Sequence, residues 1–196
     1  MPLQDYVHGF SALKNRLNVV ICIYQKPGQC LRSPVNRFLE YVQNALKKEF
    51  DNYREIQIAY VYENPSTLGV KPFERLITNT PIYYKEPYEK YKPHDISHVV
   101  QMGLALLRQK CAEDGKEEKN RENRLILISD DYFEDSQTKK IFYEKEDTIC
   151  LNPCFSDLSV DFYLYLANQS EEAEKMGRLE KFFSRKNKII WISDIE

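Results

Sequence analysis

NVVICIYQKPGQCLRSPVNRFLE, residues Asn18–Glu40, decides how the rest of the chain is read. Val19–Tyr24 is continuously apolar, as expected of a central strand in a parallel sheet covered on both faces. A turn through Pro27 and Gly28 follows. Ser33 then stands before Pro34, an N-cap with proline at the first helical position. Val35, Phe38, Leu39, Val42, Ala45 and Leu46 recur at helical spacing behind it. A strand, a loop and a capped helix in that order is how phosphate-cradling and metal-cradling loops begin. Such loops carry Asp, Ser or paired glycines, whereas this one has Tyr24, Lys26 and a single Gly28.

The pattern continues outward. Ile56–Tyr62 reads as a second strand, ended by Asn64-Pro65-Ser66, and Pro81–Lys85 as a short edge strand. Ile96, Val99, Val100, Gly103, Leu104 and Leu107 mark a helix. The charged run Glu113–Glu122 that closes it reads as a solvated loop. Leu125–Ile128 is a buried strand leading into Ser129, Asp130 and Asp131. Phe162–Leu166 and Ile189–Ile192 are the last strands, with a helix over about residues 171–183 between them, while Tyr132–Ser159 has no clear period. Strands alternating with helices predict an α/β fold, a doubly wound and mostly parallel sheet of about six strands with helices on both faces. A chain of 196 residues with 42% apolar content fits one domain, with a core over about residues 18–193 and an N-terminal extension over residues 1–17.

Composition narrows the function classes. Lys plus Arg (28) against Asp plus Glu (30) leaves a net charge of −2, so no global field draws the chain to nucleic acid or an anionic membrane. The opening residues lack the basic start and apolar core of a signal peptide, and no apolar run reaches the ~18 residues of a membrane span. A soluble cytoplasmic protein is expected. The five cysteines (Cys22, Cys30, Cys111, Cys150 and Cys154) are odd in number, and Cys22 lies in an apolar strand, which suits free thiols.

SPVNRFLEYVQNAL (Ser33–Leu46), DISHVVQMGLALL (Asp95–Leu107) and RLILISDD (Arg124–Asp131), taken in order, resemble the von Willebrand factor A family, and most closely its bacterial intracellular members. In such proteins an Asp-x-Ser-x-Ser loop, a distant Thr and a distant Asp converge at the C-terminal strand ends to hold a divalent cation. Oxygen ligands of this kind suit Mg²⁺. Carried over by the resemblance, the first Asp falls on Tyr24 and the two Ser on Lys26 and Gly28. The Thr falls near His94, and only the last Asp is kept, as Asp130. An ammonium in such a cradle repels a divalent cation by several kcal/mol at ~4 Å and an effective dielectric of ~20. The resemblance therefore implies a degenerate metal-ion-dependent adhesion site with no metal and no cofactor. Either Lys26 supplies positive charge near Asp130, or it is a solvated loop lysine.

Other constellations have plainer readings beside the chemical ones. His94-Asp95-Ile96-Ser97-His98 has the i, i+4 histidines of a zinc helix, yet Pro93 precedes His94 and Asp95 is placed as an N-cap. Asp130, Asp131, Glu134 and Asp135 cluster at a strand end, where metal-dependent hydrolysis or phosphoryl transfer would need them. The chain has no G-x-x-x-x-G-K-[ST] run or G-x-S-x-G elbow to go with them, which makes solvated acids the simpler account. Cys150 and Cys154 lack further metal ligands, and the Asn168-Gln169-Ser170 sequon needs a secretory route. Tyr83, Tyr84, Tyr88 and Tyr91 either face a partner or pack over the sheet edge.

The expectation is a protein-protein interaction or scaffold module, not an enzyme, in an intracellular multiprotein assembly. Its binding rim would comprise Tyr24, Lys26, Gly28, His94, Asp95, Asp130 and Asp131, within the stretches Tyr24–Cys30, Asn64–Leu68, Tyr91–Asp95 and Asp130–Asp135. The alternative is a metal-dependent binder rebuilt from Asp130, Asp131 and His94, or a hydrolase or phosphotransferase at the same place.

Overall fold

The computed structural model describes residues 14–24, 32–63, 68–77, 96–115, 121–129, 142–145, 148–151, 160–166 and 188–191. Its elements run β1 (Lys14–Tyr24), α1 (Arg32–Lys48), β2 (Tyr53–Glu63), β3 (Leu68–Arg75), α2 (Ile96–Glu113), β4 (Arg121–Ser129), β5 (Phe142–Lys145), β6 (Thr148–Leu151), β7 (Asp161–Leu166) and β8 (Lys188–Trp191). The main sheet has the order β3-β2-β1-β4-β7-β8, and β5 pairs with β6 in a separate antiparallel hairpin. β1 pairs in parallel with β2 on one side and β4 on the other; β7 and β8 extend the parallel set, and β3 is antiparallel to β2. The chain is thus a mixed α/β sheet flanked by helices.

The continuous apolar run of β1 follows from its place between two partners and two helices. Leu17, Val19, Ile21 and Ile23 share a buried cluster with Phe38, Leu39, Val42 and Leu46 of α1, with Ile56, Ile58 and Tyr60 of β2, and with Ile126 and Ile128 of β4. The alternate residues Val20 and Cys22, with Leu125 of β4, meet Gly103 of α2. The two described helices therefore cover opposite faces of β1. Along α1 the buried positions 38, 39, 42 and 46 are separated by exposed Arg37, Glu40, Tyr41 and Asn44, the stripe expected of a helix lying on a sheet. Full burial of a side chain the size of Phe38 contributes about 2–3 kcal/mol. α2 ends where Gly115 takes φ +75° and donates its N–H to the Ala112 carbonyl at 3.3 Å, a left-handed cap that glycine adopts without steric cost.

Several expectations need correcting. α1 starts at Arg32, so Ser33 lies inside the helix rather than capping it. β1 begins at Lys14, so residues 14–17 belong to the central strand and not to an extension. Its polar start is held by pairing: Asn18, fully buried, donates from Nδ2 to Asn123 Oδ1 at 3.2 Å, and Arg16 bridges to Glu55 at 3.0 Å. The run from Glu113 to Glu122 is not simply a solvated loop. Arg121 and Glu122 open β4, and the Asp114 side chain is only 5% exposed, gripped by Arg16 and Lys110. β3 went unread in the sequence, as did the β5–β6 hairpin within the stretch without clear period. The expected strand Pro81–Lys85 and the expected helix near residues 171–183 lie outside the described residues.

Candidate functional site

The parallel strands end level with one another. Tyr24 of β1 stands opposite Ser129 of β4, Ser129 opposite Leu166 of β7, and Leu166 opposite Trp191 of β8. On the other side Ile23 stands opposite Tyr62 of β2. One row of residues therefore marks the C-terminal edge of the sheet. In open α/β sheets ligands bind beyond this edge, where successive connections leave toward opposite faces. Here that place is the step from β1 to β4, because β2 lies on one side of β1 and β4 on the other, with α1 and α2 on opposite faces.

Tyr24 is half-buried at the end of β1, and Ser129 is 1% exposed at the end of β4. The first turn of α2 is drawn to the same edge: the Cys22 thiol, two residues before Tyr24, donates to the Val99 carbonyl at 3.6 Å. Full burial pushes that thiol far above its ordinary range, so it acts as a packed donor and not as a nucleophile. Ser97, on the same turn, is wholly buried. Its burial on that turn went unanticipated. A signal existed, since Ser97, Val100, Leu104 and Leu107 fall at i, i+3, i+7 and i+10, the spacing of the face turned to the sheet.

Of the seven rim residues expected from the sequence, Tyr24 is described. Lys26, Gly28, His94, Asp95, Asp130 and Asp131 lie outside the described residues. Asp130 follows Ser129 in the chain, Lys26 stands two positions after Tyr24, and Asp95 directly precedes α2. His98, the second histidine of the zinc-like spacing, is exposed on α2. Among the described residues no group of three His, Cys, Asp or Glu is placed to hold a metal ion. Cys22 and Cys111 are free thiols.

The opposite, N-terminal edge carries charges that serve the fold. Arg16 lies between Glu55 and Asp114, Lys110 also reaches Asp114, and Arg121 donates to the carbonyls of Cys111 and Gly115 at 2.9 and 3.1 Å. Arg124 sits 4.8 Å from the centre of the Tyr163 ring. Tyr53 donates its hydroxyl to Glu122. These cations are each matched by a carboxylate, a carbonyl or a ring.

No protein-family model matches the chain, and no curated protein does. None of the described helices is long and apolar enough to cross a membrane. Among solved structures the chain is similar to the VWA domain of SpRpn10, with a TM-score of 0.52 and 9% sequence identity over 93% of this chain and 94% of that one. At that identity the likeness is one of backbone architecture, and the chain has a von Willebrand factor A-like fold.

Proposed function

We propose that this chain is a protein-protein interaction or scaffold module that meets its partner at the C-terminal edge of the sheet and has dispensed with a divalent metal there. The observation that carries the reading is the Tyr24–Ser129 register pair. It puts a half-buried phenol at the strand end where the resemblance to bacterial intracellular von Willebrand factor A proteins would have a metal-ligating carboxylate. The next chemistry-bearing residue on that side is a lysine, Lys26, and the next across the step is Asp130. An ammonium and a carboxylate at neighbouring strand ends compensate one another without an ion. The rim formed by Tyr24, Lys26, Gly28, His94, Asp95, Asp130 and Asp131 then offers aromatic, cationic and anionic groups together, a composition suited to a protein surface. In this reading the sheet is doubly wound, the module is not an enzyme, and it works in the cytoplasm as part of a multiprotein assembly. Neither nucleic acid nor membrane is a partner.

Affinity capture with the intact chain tests the reading. Lys26→Glu is expected to lose at least one partner that the wild type retains. Lys48→Glu, at the exposed C-terminal turn of α1 and the far end of the sheet, is expected to keep it. Equal capture by both variants, or equal loss, overturns the proposal. The metal-free character has its own check. Titration with Mg²⁺, Mn²⁺ or Zn²⁺ at millimolar concentration should give neither heat nor a rise in melting temperature, because a bound ion would stabilise the folded chain by mass action. Heat that disappears in Asp130→Ala would favour the rebuilt site of Asp130, Asp131 and His94.

A further inference from the structure

Among the described residues β3 is the last strand on its side of the sheet, and none pairs with its outer edge. Exposed strand edges present free N–H and C=O groups that recruit another strand, and proteins guard them with prolines, lysines and bulges. β3 has all three. Its register with β2 slips between Ile58, opposite Glu74, and Tyr60, opposite Lys71, so Pro72 and Phe73 together stand against Ala59 alone. This is a bulge, and Pro72 within it has no N–H to offer. Lys71 reaches across the bulge to Glu74 at 2.6 Å and lies 5.5 Å from the centre of the Tyr60 ring.

A second copy of β3 is complementary in charge to this edge. An antiparallel pairing of two β3 strands about a point between Pro72 and Phe73 would set Lys71 opposite Glu74 of the second copy, and Glu74 opposite its Lys71. Opposite charges directly across a pair favour it. The same two charges are instead joined within one strand, across the bulge. Val70 at 39% exposure and Ile77 at 57% supply apolar surface beside the edge. We propose that the Lys71-Pro72 bulge keeps β3 from pairing with β3 of a second copy, so that the chain stays monomeric at this edge.

Sedimentation of the full chain tests this. The wild type is expected to sediment as one copy at all attainable concentrations. Deleting Pro72, which evens the register, and Pro72→Val, which returns an N–H to the edge, are each expected to strengthen self-association by roughly tenfold or more. Adding Val70→Lys to either variant is expected to restore the monomer, because a new edge charge blocks strand pairing. That reversal separates edge pairing from misfolding, whose aggregation a single surface lysine on β3 would not reverse. Folded but monomeric Pro72 variants, association that Val70→Lys leaves untouched, or a wild-type dimer cross-linked through β3 would each overturn the proposal.

Discussion

Replacing Asp114 by Asn lowers stability by about 3 kcal/mol, which for a domain of this size is a fall in melting temperature of roughly 6–12 °C. The side chain is 5% exposed, and both Arg16, at 2.5 Å, and Lys110, at 2.8 Å, contact the same oxygen, Oδ1. Removing one partner of a buried ion pair leaves the other charges desolvated and unmatched, which typically costs about 3–5 kcal/mol. The lower end applies because Arg16 keeps its bridge to Glu55 at 3.0 Å, and because the Arg16 and Lys110 side chains retain 18% and 15% exposure. The effect depends on pH in a definite direction. Burial by itself would raise the Asp114 carboxyl, but hydrogen bonds from Lys110 and Arg16, with their charges, outweigh it and hold the group below its ordinary value. Glu55 is likewise held low, first by the Gln57 amide and then, against the cost of burial, by Arg16. A carboxylate depressed in the folded state stabilises above its unfolded pKa of about 4 and loses that contribution as pH falls through the lower folded value. Wild-type stability should therefore drop steeply below about pH 4, and Asp114→Asn should flatten the drop. Denaturant midpoints measured from neutral to acid pH check both parts. Equal slopes in the two proteins would show that the clamp does not act through charge.

This clamp also explains what could and could not be read in the sequence. The apolar period of β1, α1, α2 and the core of β4 is a direct image of burial, so these elements stood out. The polar start of β1 did not, because Arg16 and Asn18 are buried only through partners distant in the chain: Glu55, Asp114 and Asn123. No local pattern records such pairing. Asp114 was hidden for the same reason inside a run of charges. β3 was hidden by its guard: Lys71, Pro72, Glu74 and Arg75 are exposed, and its burial follows no alternation because a bulge interrupts it. At the candidate site, the apolar run of β1 correctly brought Tyr24 to a strand end. The remaining rim residues lie in sequence beyond the ends of the regular elements, where periodicity stops and carries no information about side chains. Ser97 shows the converse case. It is a polar residue type, yet it is wholly buried on the face of α2 turned to the sheet.

Gly103→Val is the other substitution expected to cost the most, about 3 kcal/mol or more. Gly103 lies where α2 crosses β1 and β4, and a Cβ built there would come within 2.5 Å of Cys22 Sγ, 3.2 Å of Leu125 Cδ1 and 3.3 Å of Val20 Cγ1. Real carbon atoms do not approach sulfur that closely, so either α2 lifts off the sheet or Cys22 leaves its bond to the Val99 carbonyl. Each route disturbs the floor of the candidate site, since that bond ties the first turn of α2 to the strand that ends at Tyr24. Gly103→Ala separates the contributions. Alanine improves helix propensity by about 1 kcal/mol, while overpacking costs about 1–3 kcal/mol, so a smaller net loss is expected. If the clash is with the sulfur, Cys22→Ala should relieve it, and the double variant Cys22→Ala/Gly103→Ala should be more stable than the sum of the single losses predicts by about 1 kcal/mol. Additive losses in that cycle would mean that Leu125 and Val20, rather than Cys22, set the distance between α2 and the sheet. A fully tolerated Gly103→Val would mean that α2 does not pack here at all, and with it would go the reason for placing its first turn at the rim.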